Sequence, residues 1–385
     1  MNMLIEGKSQ KPDYIYVSFI AIICFPFIVI FPLLDTDLQP NALVFCLLLF
    51  VYLISQKKIS FDKSQLVLLF TMFGAIVVIP INDSIAEAIR SMSNYISISI
   101  ISIISFYFFK KYGMNESIIK VCILIWFFVG AVQSFINPVF LTSLLRVART
   151  SETRGVTSLS AEPSFYAVVL FFFLFFVKDF SKHKIFFFIL IVLQVLFFAQ
   201  AALGALLLFL FFAMYFLGDM SSKKQFLFFT IIVILGIIGY IFFDLIEALF
   251  WGNRIWSLLN RFFAGDILLD QSVYDRYYAI VDSILGMINN SFLPHGFRDR
   301  IMSGFGAVFY ELGFMGFPLI CVICMAIANC FDRKKIPIMI LAFLFLLMAI
   351  QLAHPMLALI IGYGWYKRYL LRTGKFLTND DKKQG

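Results

Sequence analysis

The stretch 146–164 is the part of the chain best suited to hold an anion. It carries arginines and glutamates with hydroxyl residues between them, and long apolar segments flank it: Arg146, Arg149, Glu152, Arg154 and Glu162. A guanidinium group binds phosphate or carboxylate through two parallel hydrogen bonds. Charges at a membrane edge are costly unless something pairs with them. The stretch therefore predicts an anion site in which Arg146, Arg149 and Arg154 contact the ligand.

A second candidate for anion binding is Arg276, on a predicted amphipathic helix. The residues Ser272 and Asp275 resemble a capping box with Asp in place of Glu, and apolar residues then recur at helical spacing. Arg276 lies on the polar side with Asp275 and Asp282. It either pairs with these acids or provides a further clamp on the ligand's phosphates, and the sequence leaves both open.

His295 and Glu162 are the candidate bases. A neutral imidazole can accept a proton near neutral pH, and His295 is followed by a glycine that allows close backbone approach. The alternative for His295 is a loop residue bonded to a backbone carbonyl. A nearby arginine would make Glu162 a weaker base, so Glu162 is alternatively the partner that orients an arginine. Secondary candidates for the site are Arg254, Arg298, Arg300 and Glu311.

The composition is that of a multi-pass membrane protein. The chain has 385 residues, of which 62% are hydrophobic and 14% charged, whereas a soluble domain carries about 25% charged residues. The net charge of +8 indicates positive residues on the cytoplasmic side rather than nucleic-acid binding. The six cysteines all fall in apolar runs, and we expect no metal and no cofactor.

About twelve apolar runs are long enough to cross a bilayer, so we expect one all-α membrane domain over residues 1–385. The predicted spans are Tyr14–Leu34, Ala42–Ile54, Leu66–Ile81, Met92–Phe109, Ile118–Phe140, Ser164–Val177, Ile185–Phe198, Ala201–Leu217, Phe226–Leu245, Gly306–Ala328, Ile336–Leu352 and Pro355–Tyr369. The region Ile185–Leu217 is either a hairpin or one bent unit.

The basic residues predict the topology. The N-terminus, every second loop and the C-terminal tail hold 22 of the 31 lysines and arginines, so both termini are predicted to be cytoplasmic. Two larger loops, 140–161 and 247–304, then face the periplasm, the latter with amphipathic helices at Trp251–Phe263 and from Ser272. All nine outward basic residues are arginine. Because arginine is suited to planar phosphate recognition, this indicates a diphosphate-handling face.

The chain resembles the bacterial O-antigen polymerase and O-antigen ligase superfamily, which includes the Wzy-type polymerases. The shared features are about twelve spans, a medium outward loop with Arg154-Gly155 and Glu162-Pro163-Ser164, and a larger later loop. Near the end of the later loop, His295 is separated by ten residues from Gly306, and the run Glu311-Leu-Gly-Phe-Met-Gly follows. The Arg-x10-Gly element of such polymerases is present here only from Arg254 to Gly265.

The resemblance implies a metal-independent glycosyltransferase in the bacterial inner membrane, active on the periplasmic face. It would transfer a growing glycan from undecaprenyl diphosphate to the next lipid-linked repeat unit, in O-antigen or capsular polysaccharide synthesis. Fixed guanidinium groups would stabilise the diphosphate leaving group, and a base would activate the acceptor hydroxyl. Expected partners are the undecaprenyl-diphosphate-linked oligosaccharide, membrane lipid, and a chain-length regulator and flippase of the same pathway.

Three other functions compete with this one. A ligase would move finished glycan onto lipid A core. An enzyme using polyprenyl-phosphate sugars would place acids in a long first outward loop, but here Asp35 and Asp37 occupy a short one, so we interpret them as a polar helix end. A flippase or transporter would carry ionisable residues at mid-span, whereas Asp244, Glu247 and Glu311 are predicted near outer ends.

Overall fold

The computed structural model describes residues 13–30, 36–58, 61–78, 85–149, 155–220, 264–297, 304–347 and 350–374. It also describes the helical residues 225, 230, 241, 256–257 and 260–261. Within the described ranges, the side chains at 86, 87, 267, 272, 276 and 305 are not described. The predicted span Phe226–Leu245 and the predicted helix Trp251–Phe263 lie almost wholly outside these residues.

The described chain is helical, and its strand-like pairing is a single isolated bridge between Ile28 and Leu145. The α-helices are α1 (Tyr14–Cys24), α2 (Asn41–Ser55), α3 (Lys63–Val78), α4 (Ile85–Tyr112), α5 (Glu116–Phe135), α6 (Pro163–Val177), α7 (Lys184–Leu193), α8 (Ala202–Asp219), α9 (Gln271–Asn289), α10 (Gly304–Leu312), α11 (Gly316–Asn329), α12 (Lys335–Leu347) and α13 (Pro355–Arg372).

Within the described residues, four helical stretches are long and apolar enough to cross a membrane. They are Ala88–Tyr112, Glu116–Phe135, Ala202–Asp219 and Gly306–Asn329. Shorter apolar helices accompany them, including α1, α2, α3, α6 and α12. The all-α membrane fold expected from the sequence is confirmed at this level.

The helix α6 lies at the centre of the bundle. Its residues from Tyr166 to Val177 are each at most 3% exposed, and Phe171 contacts Phe211 of α8 and Phe345 of α12. A helix that is apolar on every side is buried by neighbours all round. Since Glu162 and Ser164 lie at its first turn, the packing of α6 fixes these two residues relative to the rest of the bundle.

Several predicted element boundaries are corrected by the structure, among them the predicted span Ile118–Phe140, whose helix α5 ends at Phe135. The first span does not continue helically to Leu34: α1 ends at Cys24, just before Pro26, which has no N–H to donate to a helix. The amphipathic helix α9 does not begin at Ser272. It begins at Gln271, where the Asp270 carboxylate accepts a hydrogen bond from the Val273 N–H at 3.2 Å.

The region Ile185–Leu217 is a hairpin. The helix α7 ends in a π-helical turn, Gln194–Ala199, and the chain reverses at Gln200 with φ of 45°. The Lys184 Nζ, at the start of α7, lies 3.1 Å from the Tyr215 hydroxyl, near the end of α8. The two helices are therefore antiparallel.

The ends of the helices gather at two opposite ends of the bundle. At one end the Tyr112 hydroxyl donates to Asp13, and the Ser181 N–H donates to Glu116 at 2.8 Å. At the other end Val29 pairs with Leu144 through their backbones. Among the described residues, Asp13 thus shares one end with Tyr112, Glu116 and Ser181, and Val29 shares the other end with Leu144. The membrane face on which each end lies stays a prediction.

Buried ion pairs join three helices at the end that holds Asp13. Lys178 lies 3.1 Å from Asp179 and 3.0 Å from Asp219, and Lys367 lies 3.1 Å from Asp179. The Tyr363 hydroxyl also donates to Asp179 at 2.7 Å. These contacts tie the ends of α6, α8 and α13 together.

Candidate functional site

The carboxylate–arginine cluster, which we define as Asp37, Arg149 and Glu162, lies at the end of the bundle opposite Lys178. The Arg149 Nη1 lies 2.6 Å from Glu162 Oε1 and 3.0 Å from Asp37 Oδ2. The Nη2 lies 3.1 Å from Asp37 Oδ1. These bonds use three of the five N–H groups of the guanidinium and leave two for a ligand.

The connection between α1 and α2 brings Asp37 to Arg149. The Val29 N–H donates to the Leu144 carbonyl at 2.9 Å, and the Asn41 side chain donates to the Ile28 carbonyl at 2.8 Å. These bonds hold the connection against the segment that precedes Arg149. Asp37, interpreted from the sequence as a polar helix end, is therefore half of a two-bond pair with an arginine.

Glu162 is positioned by the start of α6. It is the N-cap residue, with extended backbone angles, and Pro163 follows it at the first helical position, where the missing N–H of proline does no harm. The Ser164 hydroxyl lies 3.2 Å from Glu162 Oε2, and the Arg149 N–H donates to the Ala161 carbonyl at 2.8 Å. The carboxylate thus faces Arg149 from a fixed helix end.

A buried glutamine anchors the loop that leads into α6. The Gln133 side chain accepts from the Ser158 N–H at 2.7 Å and donates to the carbonyls of Ser158 and Phe140 at 2.9 and 2.8 Å. The Ser158 hydroxyl donates to the Trp126 carbonyl at 3.0 Å. Because buried backbone groups require partners, this amide lets residues 157–160 run inside the protein.

Gly155 allows the same loop to approach α7 closely. A Cβ at this position would overlap the carbonyl oxygens of Phe198 and Ala199, and the Val156 N–H donates to the Phe198 carbonyl at 2.8 Å. Arg154, which immediately precedes Gly155, lies outside the described residues. Gly155 therefore fixes where the chain leaves the bundle on its way to Arg154.

The described cluster carries one arginine against two carboxylates, so negative charge is in excess. The hydrogen bonds to Glu162 and then to Asp37 raise the pKa of the Arg149 guanidinium, which stays charged. About half of the Arg149 side chain is exposed. An anionic ligand would therefore need further positive groups beside Arg149. Arg146 is exposed and lies three residues earlier on the same segment.

A second group of candidate residues forms around His295. The His295 and Gly296 N–H groups donate to the Tyr310 and Glu311 carbonyls, each at 3.2 Å, and the rings of His295 and Tyr310 lie 4.2 Å apart. The Glu311 side chain is 6% exposed and accepts from the Tyr95 hydroxyl. The structure thus brings together His295 and Glu311, two residues predicted separately for the site.

An apolar cleft lies beside the carboxylate–arginine cluster. It is narrow, and it is lined by Leu38, which follows Asp37, by Phe165 in the first turn of α6, and by Phe27, Ile350, Gln351 and His354. His354 is the N-cap residue of α13.

Several predicted site residues lie outside the described residues or have no described side chain. Arg154, Arg254, Arg298 and Arg300 are outside, and Arg276 lies on α9 without a described side chain. Their proposed contacts with a ligand stay predictions. The alternative role given to Glu162, that of a partner orienting an arginine, matches its ion pair with Arg149.

Sequence reasoning missed the pairing of Asp37 with Arg149 and the contacts of Tyr95 and Gln133. Each is a polar residue in or beside an apolar run, which is the one local signal that could have drawn attention to it. No group of three or more His, Cys, Asp and Glu residues that could hold a metal ion is found in the part of the chain that the structure describes.

Comparison with known proteins adds no relative. No family model, no curated protein and no solved structure matches this chain. A proposal for its function therefore depends on the geometry above and on the resemblance noted from the sequence.

Proposed function

We propose that this chain is a repeat-unit polymerase of the bacterial inner membrane. It transfers a growing glycan from undecaprenyl diphosphate to the next lipid-linked repeat unit on the periplasmic face. The observation that carries the proposal is the carboxylate–arginine cluster of Asp37, Arg149 and Glu162 at one end of a bundle of apolar helices. A polar site at the end of an apolar bundle suits a ligand that is part glycan and part lipid.

In this proposal the arginines stabilise the diphosphate as it leaves. The carboxylates hold the Arg149 fork in place, and its remaining N–H groups, with Arg146, Arg154 and Arg276, face the phosphate oxygens. Negative charge grows on the leaving group in the transition state, and fixed guanidinium groups then stabilise it more than they stabilise the bound substrate. Arg254, Arg298 and Arg300 are further candidates for the same role.

His295 is the proposed base for the acceptor hydroxyl, with Glu162 the second candidate. The two side-chain oxygens of Glu162 already accept hydrogen bonds from Arg149 and Ser164, so neither oxygen directly faces an acceptor hydroxyl. In an assay with purified protein and lipid-linked repeat units, we expect His295→Ala to abolish chain extension while substrate binding is retained. Wild-type extension by His295→Ala together with loss in Glu162→Gln would reverse these roles.

Removal of the gene tests the reaction in cells. We expect such cells to make and export single repeat units, and to show lipid A core capped with one unit in place of a ladder. Intact polymer left unattached would identify a ligase instead.

The proposal includes the full topology of twelve spans, with both termini in the cytoplasm and the loops 140–161 and 247–304 in the periplasm. We expect reporter fusions at Ser181 and Asn289 to give cytoplasmic and periplasmic signals respectively. The same signal at both positions would refute this topology and the periplasmic active face with it.

One observation favours transport as a second candidate. Glu311 is a buried carboxyl in a helix that is interrupted by a 3-10 turn, Gly313–Met315, and interrupted membrane helices with ionisable residues are common in transporters. A transporter would move lipid-linked repeat units across vesicles without extending them. Chain extension by the purified protein alone excludes this candidate.

A further inference from the structure

The helix α9 packs one side on the bundle. Ser283 and Met287, one turn apart on this side, are buried. Gly286 lies beside them, and a Cβ at Gly286 would come within 2.8 Å of the Tyr310 ring of α10. This side therefore holds α9 closely against α10.

A different side of α9 is apolar and exposed. It consists of uncharged residues that are each 40–50% exposed, Tyr274, Tyr277, Tyr278, Leu285 and Ile288, which we call the exposed row. Residues three, four or seven positions apart lie on the same side of a helix, and the exposed row extends over about 20 Å. An amphipathic helix normally turns its apolar stripe toward the core. An exposed row of this length therefore indicates contact with another surface.

The C-terminal end of α9 joins a surface of the bundle that faces lipid. The stretch Gly306–Asn329 is long and apolar enough to cross a membrane, and Phe314 and Phe317 within it are exposed. The Phe314 N–H donates to the carbonyl of Phe292 at 2.8 Å, and Phe292, itself exposed, follows α9 by three residues. Because Phe314 lies past the first turn of the stretch, the end of α9 lies beside the interior of that stretch rather than at its first residue.

The residue types along the exposed row match a helix that enters a leaflet from the membrane surface. The three tyrosines lie in the N-terminal half of α9, and Leu285 and Ile288 lie in the C-terminal half. Tyrosine is enriched at the boundary between membrane and water, whereas leucine and isoleucine favour the hydrocarbon. Asp275 and Asp282 are exposed beside the row, and a carboxylate is costly inside lipid. The acids thus mark the side of α9 that stays in water.

We propose that α9 is embedded in the membrane surface, with the exposed row in contact with the lipids of one leaflet. An apolar face that lies at the boundary of headgroups and acyl chains is the usual arrangement of an interfacial helix. The exposed row is uncharged, so this contact relies on apolar burial and does not need anionic lipid. The inference is independent of the proposed function.

The leaflet is the one at the end of the bundle that holds Asp37. A Cβ at Gly304, where α10 begins, would overlap the carbonyl oxygen of Ile350, and Ile350 lines the same cleft as Leu38. The turn after α9 leads directly to His295. An embedded α9 therefore also fixes the depth of His295 at the surface of this leaflet.

Nitroxide labels followed by electron paramagnetic resonance test this contact on the full-length protein in phosphatidylcholine nanodiscs. The labels are attached to Tyr277→Cys, Leu285→Cys and Ile288→Cys in a Cys321→Ser background, because Cys321 is exposed and the other five cysteines are buried. Collision with oxygen, which concentrates in lipid, is compared with collision with a nickel chelate, which stays in water. We expect oxygen collision to dominate at all three positions, at depths of about 5–10 Å, and Ile288 to be deeper than Tyr277.

Asp275→Cys is the matched control. Asp275 lies on the same turn as Tyr277 but on nearly the opposite side, since two residues advance an α-helix by more than half a turn. We expect nickel-chelate collision to dominate there. Phe209→Cys, exposed on the spanning helix α8, and Lys182→Cys, exposed in a loop, are the lipid and water references. The unfolding temperature of each variant shows that it is folded, and three positions in the row keep the test valid if one variant is not.

Three results would overturn the proposal. Nickel-chelate collision along the row equal to that at Lys182 would place the row in water. Protection from both reagents, together with spin coupling between molecules in liposomes, would place a second copy of the chain on the row. Nickel-chelate collision that falls only when farnesyl phosphate is added would identify a site for the lipid chain of a ligand instead.

Discussion

Asp37 and Arg149 lie 112 positions apart in the chain, yet their side chains pair through two hydrogen bonds of 3.0 and 3.1 Å. The same guanidinium reaches Glu162 at 2.6 Å. Arginine is the side chain whose planar fork can engage two carboxylates at once. Three separate segments of the chain thus meet at one charged group, at the end of the bundle where the proposed substrate would bind.

Asp37→Asn should separate function from folding. The pair with Arg149 is about half exposed on the arginine side, and exposed ion pairs contribute only about 0–1 kcal/mol to stability. We therefore expect nearly unchanged thermal unfolding in detergent, while chain extension falls at least about tenfold because Arg149 is no longer held for the diphosphate. Asp332→Asn, at an exposed position beside Asp219 at the opposite end of the bundle, is the control. Wild-type extension by Asp37→Asn would show that the pair has no catalytic role.

Tyr95→Phe should destabilise the protein. The tyrosine hydroxyl donates to the buried Glu311 carboxyl, 216 positions away, and a buried polar group left without its partner costs about 1–3 kcal/mol. We expect a lower unfolding temperature in detergent than for Tyr277→Phe, whose ring is half exposed.

A double-mutant cycle tests the same contact directly. Glu311→Gln combined with Tyr95→Phe should destabilise by less than the sum of the single changes, since both remove one shared interaction. Strict additivity would mean that the hydroxyl and the carboxyl do not interact in solution.

Gly155→Ala should disturb the loop that leads to Arg154. The added methyl would overlap the backbone carbonyls of Phe198 and Ala199, and backbone atoms cannot move aside as a side chain can. Overpacking of this kind costs about 1–3 kcal/mol, and we expect both a lower unfolding temperature and a loss of chain extension. The control is Gly74→Ala, where the methyl meets only the mobile Met315 Cε at 2.8 Å. Equal effects of the two changes would contradict this account.

Lys178→Met should destabilise the end of the bundle opposite the cluster. Lys178 is 4% exposed and lies between Asp179 and Asp219. Removal of one partner from a buried ion pair leaves unpaired charge and costs about 3–5 kcal/mol. We expect a large fall in unfolding temperature, and little change for Lys182→Met, which is exposed in the same loop. Similar stability of both variants would show that the ion pairs at Lys178 do not hold the helices together.

The sequence by itself determined the helical membrane character of the chain. A bilayer requires about 20 apolar residues for each helical span, and this signal is local. The start of α6 was also predictable to within one residue, because Glu162 and Pro163 precede an unbroken apolar run. The end of α1 was not, since the apolar residues continue beyond the proline that stops the helix.

Only the tertiary structure decided which polar residues meet. Asp37 was interpreted as a polar helix end and Tyr95 drew no prediction, because the partners of both lie on distant segments of the chain. The physical reason is that these helices are apolar on nearly every side, so the sequence does not specify which faces contact each other. The shapes of the packed side chains determine the neighbours, and this packing places Asp37 against Arg149 and Tyr95 against Glu311.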